Sequence, residues 1–386
     1  MRAGGSVNFV LLRIREVKST LRGTVQVPLW SWIIPVFGCA MAALTLAHVL
    51  PDSSPITSLI AVVLLGGAVF ASVHHAEVLA ECVGEPFGAI LLAICVTIIE
   101  VAVILSIMLS GAKGNEEVAK DTVFAALMIT LNGIIGLCLV FGGRRHYEQL
   151  FQLNAASAAL AVLGTLTTLS LVLPNFVIAG NAQQFAPIQL AIVGFISLTL
   201  YGVFLFVQTI RHRDYFLDCA VGEDDNAHEI QHNHPLGGMS VSGGLLLLAL
   251  ATVVLLAKLL AYPLDSAVEL IGLPQGVVGV VIAAVVLLPE GIASVKAAMM
   301  NRLQNSVNLV LGSALASIGM TIPVVAAISI ISGRDIILGL TPEHLVMLIL
   351  TLFVSTITLG TGRTTVLQGA VHLAIFAVFL LLSAMP

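Results

Sequence analysis

Eleven stretches of the chain are apolar over roughly the length of a bilayer crossing, and they constrain the fold more than any other feature. A helix needs about 20 apolar residues to cross the hydrocarbon core. In hydrocarbon every backbone polar group needs an internal partner, which leaves helices and closed barrels as spanning structures. The sequence therefore predicts an all-α polytopic membrane protein with about 11 transmembrane helices. The runs are 29–50, 56–76, 87–110, 122–143, 155–174, 187–209, 241–263, 274–296, 306–332, 342–360 and 364–385.

Composition agrees with this assignment and argues against some functions. Of the 386 residues, 58% are hydrophobic and 10% are charged, whereas soluble proteins carry about 25% charged residues. The formal net charge of -5 argues against a nucleic-acid partner. The five cysteines are odd in number and lack metal-ligand spacing, so we expect structural thiols and predict no cofactor.

Basic residues give an expected orientation, because cytoplasmic loops carry an excess of Lys and Arg. A cytoplasmic N-terminus places on the cytoplasmic side Arg144, Arg145, Arg211, Arg213, Lys296, Arg302 and Arg363. The loops on the other side then hold only Lys113, Lys120 and Arg334. We therefore expect the N-terminus to be cytoplasmic and the first apolar run to be a retained helix.

The helices divide into one N-terminal helix and two sets of five. We predict a cytoplasmic N-terminal segment at 1–28, a first transmembrane helix at 29–50, a first five-helix repeat at 56–210, an acidic, histidine-rich cytoplasmic linker at 211–239 and a second five-helix repeat at 240–386. Because five is odd, the second repeat is inverted relative to the first. Inverted repeats place a binding site at their interface near the membrane midplane.

Two glutamates lie inside apolar runs, Glu100 in the second helix of the first repeat and Glu290 in the second helix of the second repeat. An ionised carboxylate in hydrocarbon is costly and usually marks a proton or ion pathway. Two facing carboxylates cannot both be ionised and unpartnered, so they hold either protons or a cation. This exclusion is itself an exchange mechanism. Pro289 also frees an upstream carbonyl that becomes a candidate ligand where the helix is interrupted.

Two side chains do not complete the shell of a hard cation, which takes six to eight oxygens for Ca²⁺. The candidate additional ligands are Thr97, one turn before Glu100, Ser313 and Asn132, and Ser317 is a further polar residue within a helix. For each hydroxyl, a bond to its own helix backbone is an equal alternative. His372, in the last run, is expected to be a packing residue with satisfied nitrogens rather than a ligand.

Two polar segments are candidates for secondary roles. His74, His75 and Glu77 stand at the cytoplasmic end of a helix as candidate ion-access or pH-sensing residues, with an ordinary solvated helix end as the alternative. In the linker, Glu223, Asp224, Asp225 and His228 are candidate regulatory residues. The alternative there is a solvated, flexible loop.

The segments AEVLAECVGEPFGAILLAICVTIIEVAVI and LPEGIASVKAAMMNRLQNSVNLVLGSALASIGMTIPVV resemble the two alpha-repeats of the CAX-like cation/proton exchangers, a branch of the calcium/cation antiporter superfamily. The resemblance runs from about residue 56 to the end and puts Glu100 and Glu290 at the central acidic positions. Thr97 and Leu287 stand where that family carries asparagines, and Ala316 where it carries glutamine. This variant pattern resembles the bacterial sodium-potassium/proton antiporters of the ChaA type.

The resemblance implies a secondary transporter in a bacterial cytoplasmic (inner) membrane, not an enzyme. It would export Na⁺, K⁺ and/or Ca²⁺ in exchange for H⁺ by alternating access, with the lipid bilayer as its surroundings and an oligomeric state that stays open. A strict Ca²⁺/H⁺ exchanger is the nearest alternative. More remote alternatives are a cation channel and an intramembrane metallohydrolase built on His74, His75 and Glu77.

Overall fold

A computed structural model describes residues 28–49, 54–83, 87–110, 116–178, 183–216 and 236–385. Over these residues the chain forms a bundle of helices, and ten of them are long and apolar enough to cross a membrane. The prediction of an all-α multi-pass protein is thereby confirmed. The helices are α1 (Leu29–Leu46), α2 (Pro55–Val83), α3 (Phe87–Ser110), α4 (Val118–His146), α5 (Leu153–Phe176), α6 (Pro187–Arg211), α7 (Leu236–Ile271), α8 (Gly276–Met299), α9 (Leu303–Ser332), α10 (Pro342–Leu359) and α11 (Val366–Ala384).

Local chemistry accounts for several helix ends. Proline is the first residue of α2, α6 and α10, a position whose N–H has no helical partner and where the fixed φ of proline suits the helix. Gly333 ends α9 in the left-handed region with φ 64°, which glycine adopts without steric cost. The π-helical segment Ile129–Ile134 interrupts α4 without ending it.

Two helices are longer than the apolar pattern predicts. The run at 56–76 continues as α2 to Val83, and the run at 241–263 extends in α7 from Leu236 to Ile271. Pro263 lies inside α7 and costs it a single backbone hydrogen bond, so the helix passes the residue at which the sequence suggested an end. These extensions carry acidic residues that the apolar runs lack, Glu77 and Glu81 in α2 and Asp265 and Glu269 in α7.

The core lies around α4 and α9, the third helices of the two sets of five. Of their most apolar windows, 89% and 61% are buried, against 22–44% for the other eight spanning helices. Helix α4 packs against α8 and α11, and α9 packs against α3, α5, α6 and α8. These two helices therefore form the interior against which the acid-bearing helices α3 and α8 lie.

A two-residue antiparallel pair joins β1 (Gln149–Leu150) to β2 (Arg363–Thr364) at one end of the bundle. Beside it, the buried Gln149 side chain donates from Nε2 to the Ala298 carbonyl at 2.8 Å. The pair and this bond link the loops after α4 and α10 to the last turn of α8, segments that are far apart in sequence. They fix one end of the central helices.

Helix α1 is attached to α2 through a carbonyl that its own helix leaves without a donor. Pro35 has no N–H, so it cannot bond the Ser31 carbonyl four residues earlier. The His75 Nε2 atom of α2 lies 3.2 Å from that carbonyl and donates to it. Thr252 of α7 donates to the Pro35 carbonyl at 3.0 Å. The proline thus leaves the Ser31 carbonyl free as a polar attachment point for α2.

Candidate functional site

Glu100 is buried at the middle of α3, with 3% of its surface exposed. The Ser317 hydroxyl of α9 donates to its Oε2 atom at 2.6 Å, a length typical of a hydroxyl bound to a carboxylate. The other oxygen, Oε1, is also buried and finds no hydrogen-bond partner among the described residues. One side of this carboxylate is therefore held by protein, and the other is an acceptor without a protein donor.

Glu290 occupies the matching place in α8 and is 8% exposed. Its Oε2 atom accepts a hydrogen bond from the Ser313 hydroxyl of α9. Glu100 lies thirteen residues after the first residue of α3 and Glu290 fourteen after the first residue of α8, about 20 Å along each helix. Helix α8 runs continuously through Pro289, so the helix is not interrupted beside this acid.

A single face of α9 serves both acids. Ser313 and Ser317 are four residues apart on a continuous helix, so their side chains are neighbours with Cβ atoms about 5–6 Å apart. Each hydroxyl reaches a different glutamate. Glu100 and Glu290 therefore converge on one face of α9.

Hydrogen bonds at some distance from the acids hold the three helices together. The Ser306 hydroxyl of α9 donates to the Ser294 carbonyl of α8 at 2.7 Å. At the other end of α9, Arg334 donates from Nη1 to the Met108 carbonyl near the end of α3, at 2.9 Å. These bonds fix α9 against both acid-bearing helices, so the serines have a defined position relative to the carboxylates.

The predicted additional ligands differ in position. Ser313 contacts Glu290, and Thr97 is buried in α3 one turn before Glu100. Asn132 is also fully buried, but its amide bonds to Thr351 of α10 and to His372 of α11 rather than to the acid-bearing helices. None of these hydrogen bonds reaches Glu100 or Glu290, so the role of Asn132 as an ion ligand stays a prediction.

The sequence indicates Ser317 only as a polar residue within a helix, and the predicted ligand set omits it. The structure gives it the same kind of contact with Glu100 that Ser313 makes with Glu290. A usable signal was present, because a serine four residues after Ser313 lies on the same helical face. Tyr201 of α6 is a second residue that the sequence did not indicate: it is buried against α9, where a Cβ added to Gly319 would lie 2.7 Å from the Tyr201 Cβ.

His74, His75 and Glu77 lie within one stretch of α2, and their role in ion access or pH sensing stays a prediction. His75 is fully buried and bonds the Ser31 carbonyl, while the half-buried His74 packs its ring 5.5 Å from that of Trp30. The rings of His74 and His75 are 5.4 Å apart, and Glu77 is exposed. Within the described ranges, no group of three or more His, Cys, Asp or Glu side chains is arranged to hold a metal ion. The metallohydrolase alternative therefore has no metal site among these residues.

The linker residues Glu223, Asp224, Asp225 and His228 lie outside the described residues. Their role as candidate regulatory residues stays a prediction. The described chain stops at Phe216 on one side of them and resumes at Leu236 on the other.

Comparison with known proteins gives consistent matches over most of the chain. A family model described as sodium/calcium exchanger protein matches residues 53–210 and 241–385. A putative ionic transporter, y4hA of Sinorhizobium fredii, is 73% identical over 363 residues, which cover 94% of this chain and 98% of that protein. The sodium-potassium/proton antiporter ChaA of Escherichia coli is 33% identical over 84% of this chain and 87% of its own length. The crystal structure of the Ca²⁺/H⁺ antiporter protein YfkE has the same fold, with a TM-score of 0.70, 18% identity and coverage of 92% and 99% of the two chains.

Proposed function

Because the chain belongs to the sodium/calcium exchanger protein family, whose members are secondary transporters rather than enzymes, we propose that it exchanges cations for protons at Glu100 and Glu290. The family expected from the two sequence segments is thereby confirmed. The observation that carries the site assignment is the convergence of two buried carboxylates on one turn of α9.

The chemistry of the pair supplies the coupling. Two buried carboxylates facing the same helical turn repel each other when both are charged, and burial adds a desolvation cost. Protons relieve this cost by neutralising the acids, and a cation relieves it by lying between them. Because the cation and the protons compete to neutralise the same two carboxylates, binding of the cation expels protons and protonation expels the cation. Exchange follows when the site alternately faces the two sides of the membrane.

The oxygens around the two acids suit a weakly held cation. Each carboxylate already has one oxygen bonded to a serine, and Oε1 of Glu100 is an acceptor without a protein donor among the described residues. The serine oxygens, the Thr97 hydroxyl and water are the proposed further ligands. The signature positions hold Thr97, Leu287 and Ala316, so amide oxygens are absent there. A site with few protein oxygens favours Na⁺ or K⁺, which keep part of their hydration, over a closed cage for Ca²⁺.

The location and topology belong to the same proposal. The two relatives named above come from bacteria, and a multi-pass exchanger there works in the cytoplasmic (inner) membrane. We place the N-terminus in the cytoplasm because this orientation puts most of the basic loop residues on that side. The acids in the second helices of two inverted five-helix repeats, 56–210 and 240–386, would then face each other across the repeat interface.

Proton flux in proteoliposomes tests this function. Na⁺, K⁺ and Ca²⁺ are each supplied alone across a pH series, and an imposed cation gradient is expected to drive protons the opposite way. Glu100→Gln and Glu290→Gln should each abolish this flux, while Glu148→Gln, which changes an exposed carboxylate outside the site, should retain it. Cation flux without proton coupling would indicate a channel. Flux retained by either site variant would remove that residue from the mechanism.

A further inference from the structure

A second buried polar network lies behind the acidic site and contains a histidine. His372 of α11 is fully buried, and its Nδ1 atom lies 3.1 Å from Oδ1 of Asn132. Its Nε2 atom lies 3.1 Å from the Thr358 hydroxyl of α10. The Asn132 Nδ2 atom donates to the Thr351 hydroxyl at 2.9 Å. One ring thus connects α4, α10 and α11 at membrane depth.

The donors and acceptors of this network match when the imidazole is neutral. The amide oxygen of Asn132 only accepts, so the proton resides on Nδ1 of His372 and Nε2 accepts from the Thr358 hydroxyl. Both ring nitrogens and both ends of the Asn132 amide then have partners. A buried polar network that is fully satisfied makes its elements rigid relative to one another.

The element held by this network is unusual. Asn132 belongs to the π-helical segment Ile129–Ile134 of α4, and π-helical turns are rare and frequently found at functional sites. On one side, Gly133 lets the Phe376 ring of α11 approach, since a Cβ there would lie 3.3 Å from it. On another side, the Ile134 side chain lies 3.3 Å from where a Cβ of Gly291 would be. Gly291 directly follows Glu290.

We propose that His372 is a positioning residue for cation binding, which acts by holding Asn132 and thereby fixing the π-helical segment against Gly291 and Glu290. The path runs from the imidazole to the amide, through the segment to Ile134, and from there to the backbone of α8 beside the acid. His372 does not contact the cation. This inference rests on the proposed exchange at Glu290 and deepens it by naming a residue that sets the affinity of that site.

The first experiment compares variants in the proteoliposome flux assay. His372→Phe fills a similar volume without polar atoms. It should raise the KM for the cation about three- to tenfold, which is the effect of one lost buried hydrogen bond. The maximal rate should stay within about twofold of wild type. Thr358→Val should act in the same direction with a smaller effect. Thr356→Val is the matched control, since its exposed hydroxyl bonds only its own helix at Leu352, and it should behave as wild type.

A double-mutant cycle distinguishes positioning from direct ligation. If His372 acts through Asn132, Asn132→Leu should raise KM about as much as His372→Phe, and the double variant should be no worse than either single one. His372→Asn, which keeps a donor near the Nδ1 position, should recover part of the affinity. Additive effects, or a far larger effect of Asn132→Leu, would instead make Asn132 an independent ligand and overturn the proposal. A wild-type KM in His372→Phe would also overturn it.

Cation-dependent thermal stabilisation of the purified protein separates this proposal from the exchange activity. The cation concentration that gives half of the stabilisation should rise about three- to tenfold in His372→Phe, in parallel with KM. If the wild-type protein binds the cation but moves no protons, the exchange proposal fails while the binding shift still tests His372. Should His372→Phe not fold, Thr358→Val and His372→Asn give the same comparison, and unchanged binding in both would refute the role.

Discussion

Replacing His75 with leucine removes the hydrogen-bond donor to the Ser31 carbonyl. The resulting loss of stability should depend on whether residue 35 is proline. Pro35 lacks the N–H that would otherwise bond this carbonyl within α1. In Pro35→Ala the helix regains that donor. The His75 bond, at 3.2 Å, should therefore matter in the presence of the proline and lose most of its importance without it.

The magnitude follows from the stranded carbonyl. A buried acceptor left without a partner costs about 1–3 kcal/mol, so His75→Leu should lower the free energy of unfolding by about that amount. In the Pro35→Ala background the same substitution should cost under about 1 kcal/mol, which is a coupling energy of about 1–2 kcal/mol between the two positions. His75→Gln, whose amide also donates, should recover part of the loss.

The chain itself carries the probe for this measurement. Its two tryptophans, Trp30 and Trp32, both lie in α1, so intrinsic fluorescence follows the packing of that helix during unfolding by SDS in mixed micelles. Equal destabilisation by His75→Leu in the wild-type and Pro35→Ala backgrounds would refute the argument. If His75 serves only this helix contact, cation-driven proton flux should keep its pH dependence in His75→Leu, whereas a shifted pH dependence would support the predicted pH-sensing role.

Two further predictions concern the site and the packing beside it. Ser317→Ala removes the donor to Glu100 and should raise the KM for the cation in flux assays about tenfold or more, since hydrogen bonds to charged groups contribute about 1.5–3 kcal/mol. Ser332→Ala is the control: its exposed hydroxyl bonds its own helix, so the KM should stay unchanged. Gly279→Ala would place a Cβ 2.9 Å from α4 backbone atoms and should destabilise the protein by about 1–3 kcal/mol. Gly312→Ala, which meets nothing within 4 Å, is its control, and equal thermal stability of these two glycine variants would contradict the packing argument.

The sequence predicted the two acids of the site, because a carboxylate within an apolar run is costly and usually has a functional role. Glu100 and Glu290 stood out as acids in apolar runs, and the structure places both near the middle of their helices. The number and type of helices also followed from run length. The ends of α2 and α7 did not, since each helix continues through acidic residues beyond its apolar run and α7 accommodates Pro263.

The partners of the acids were harder to predict, because they depend on which way each side chain faces. A serine in a helix bonds its own backbone as readily as another helix, so Ser317 gave no clear signal by itself. Asn132 illustrates a different difficulty. The π-helical segment Ile129–Ile134 adds a residue to a turn and changes the direction in which later side chains point, which the 3.6-residue period does not anticipate. Asn132 lies inside this segment, and its contact with His372 was not predicted.

The spacing of Ser313 and Ser317 has a mechanical consequence. A helix moves as a body, so a rotation or translation of α9 changes both serine–carboxylate bonds at the same time. The two acids come from helices in opposite halves of the chain, yet they share one moving support. Binding and release of the cation or protons at the two acids should therefore be concerted. A movement of α9 caused by binding at one acid changes the hydrogen bond to the other acid.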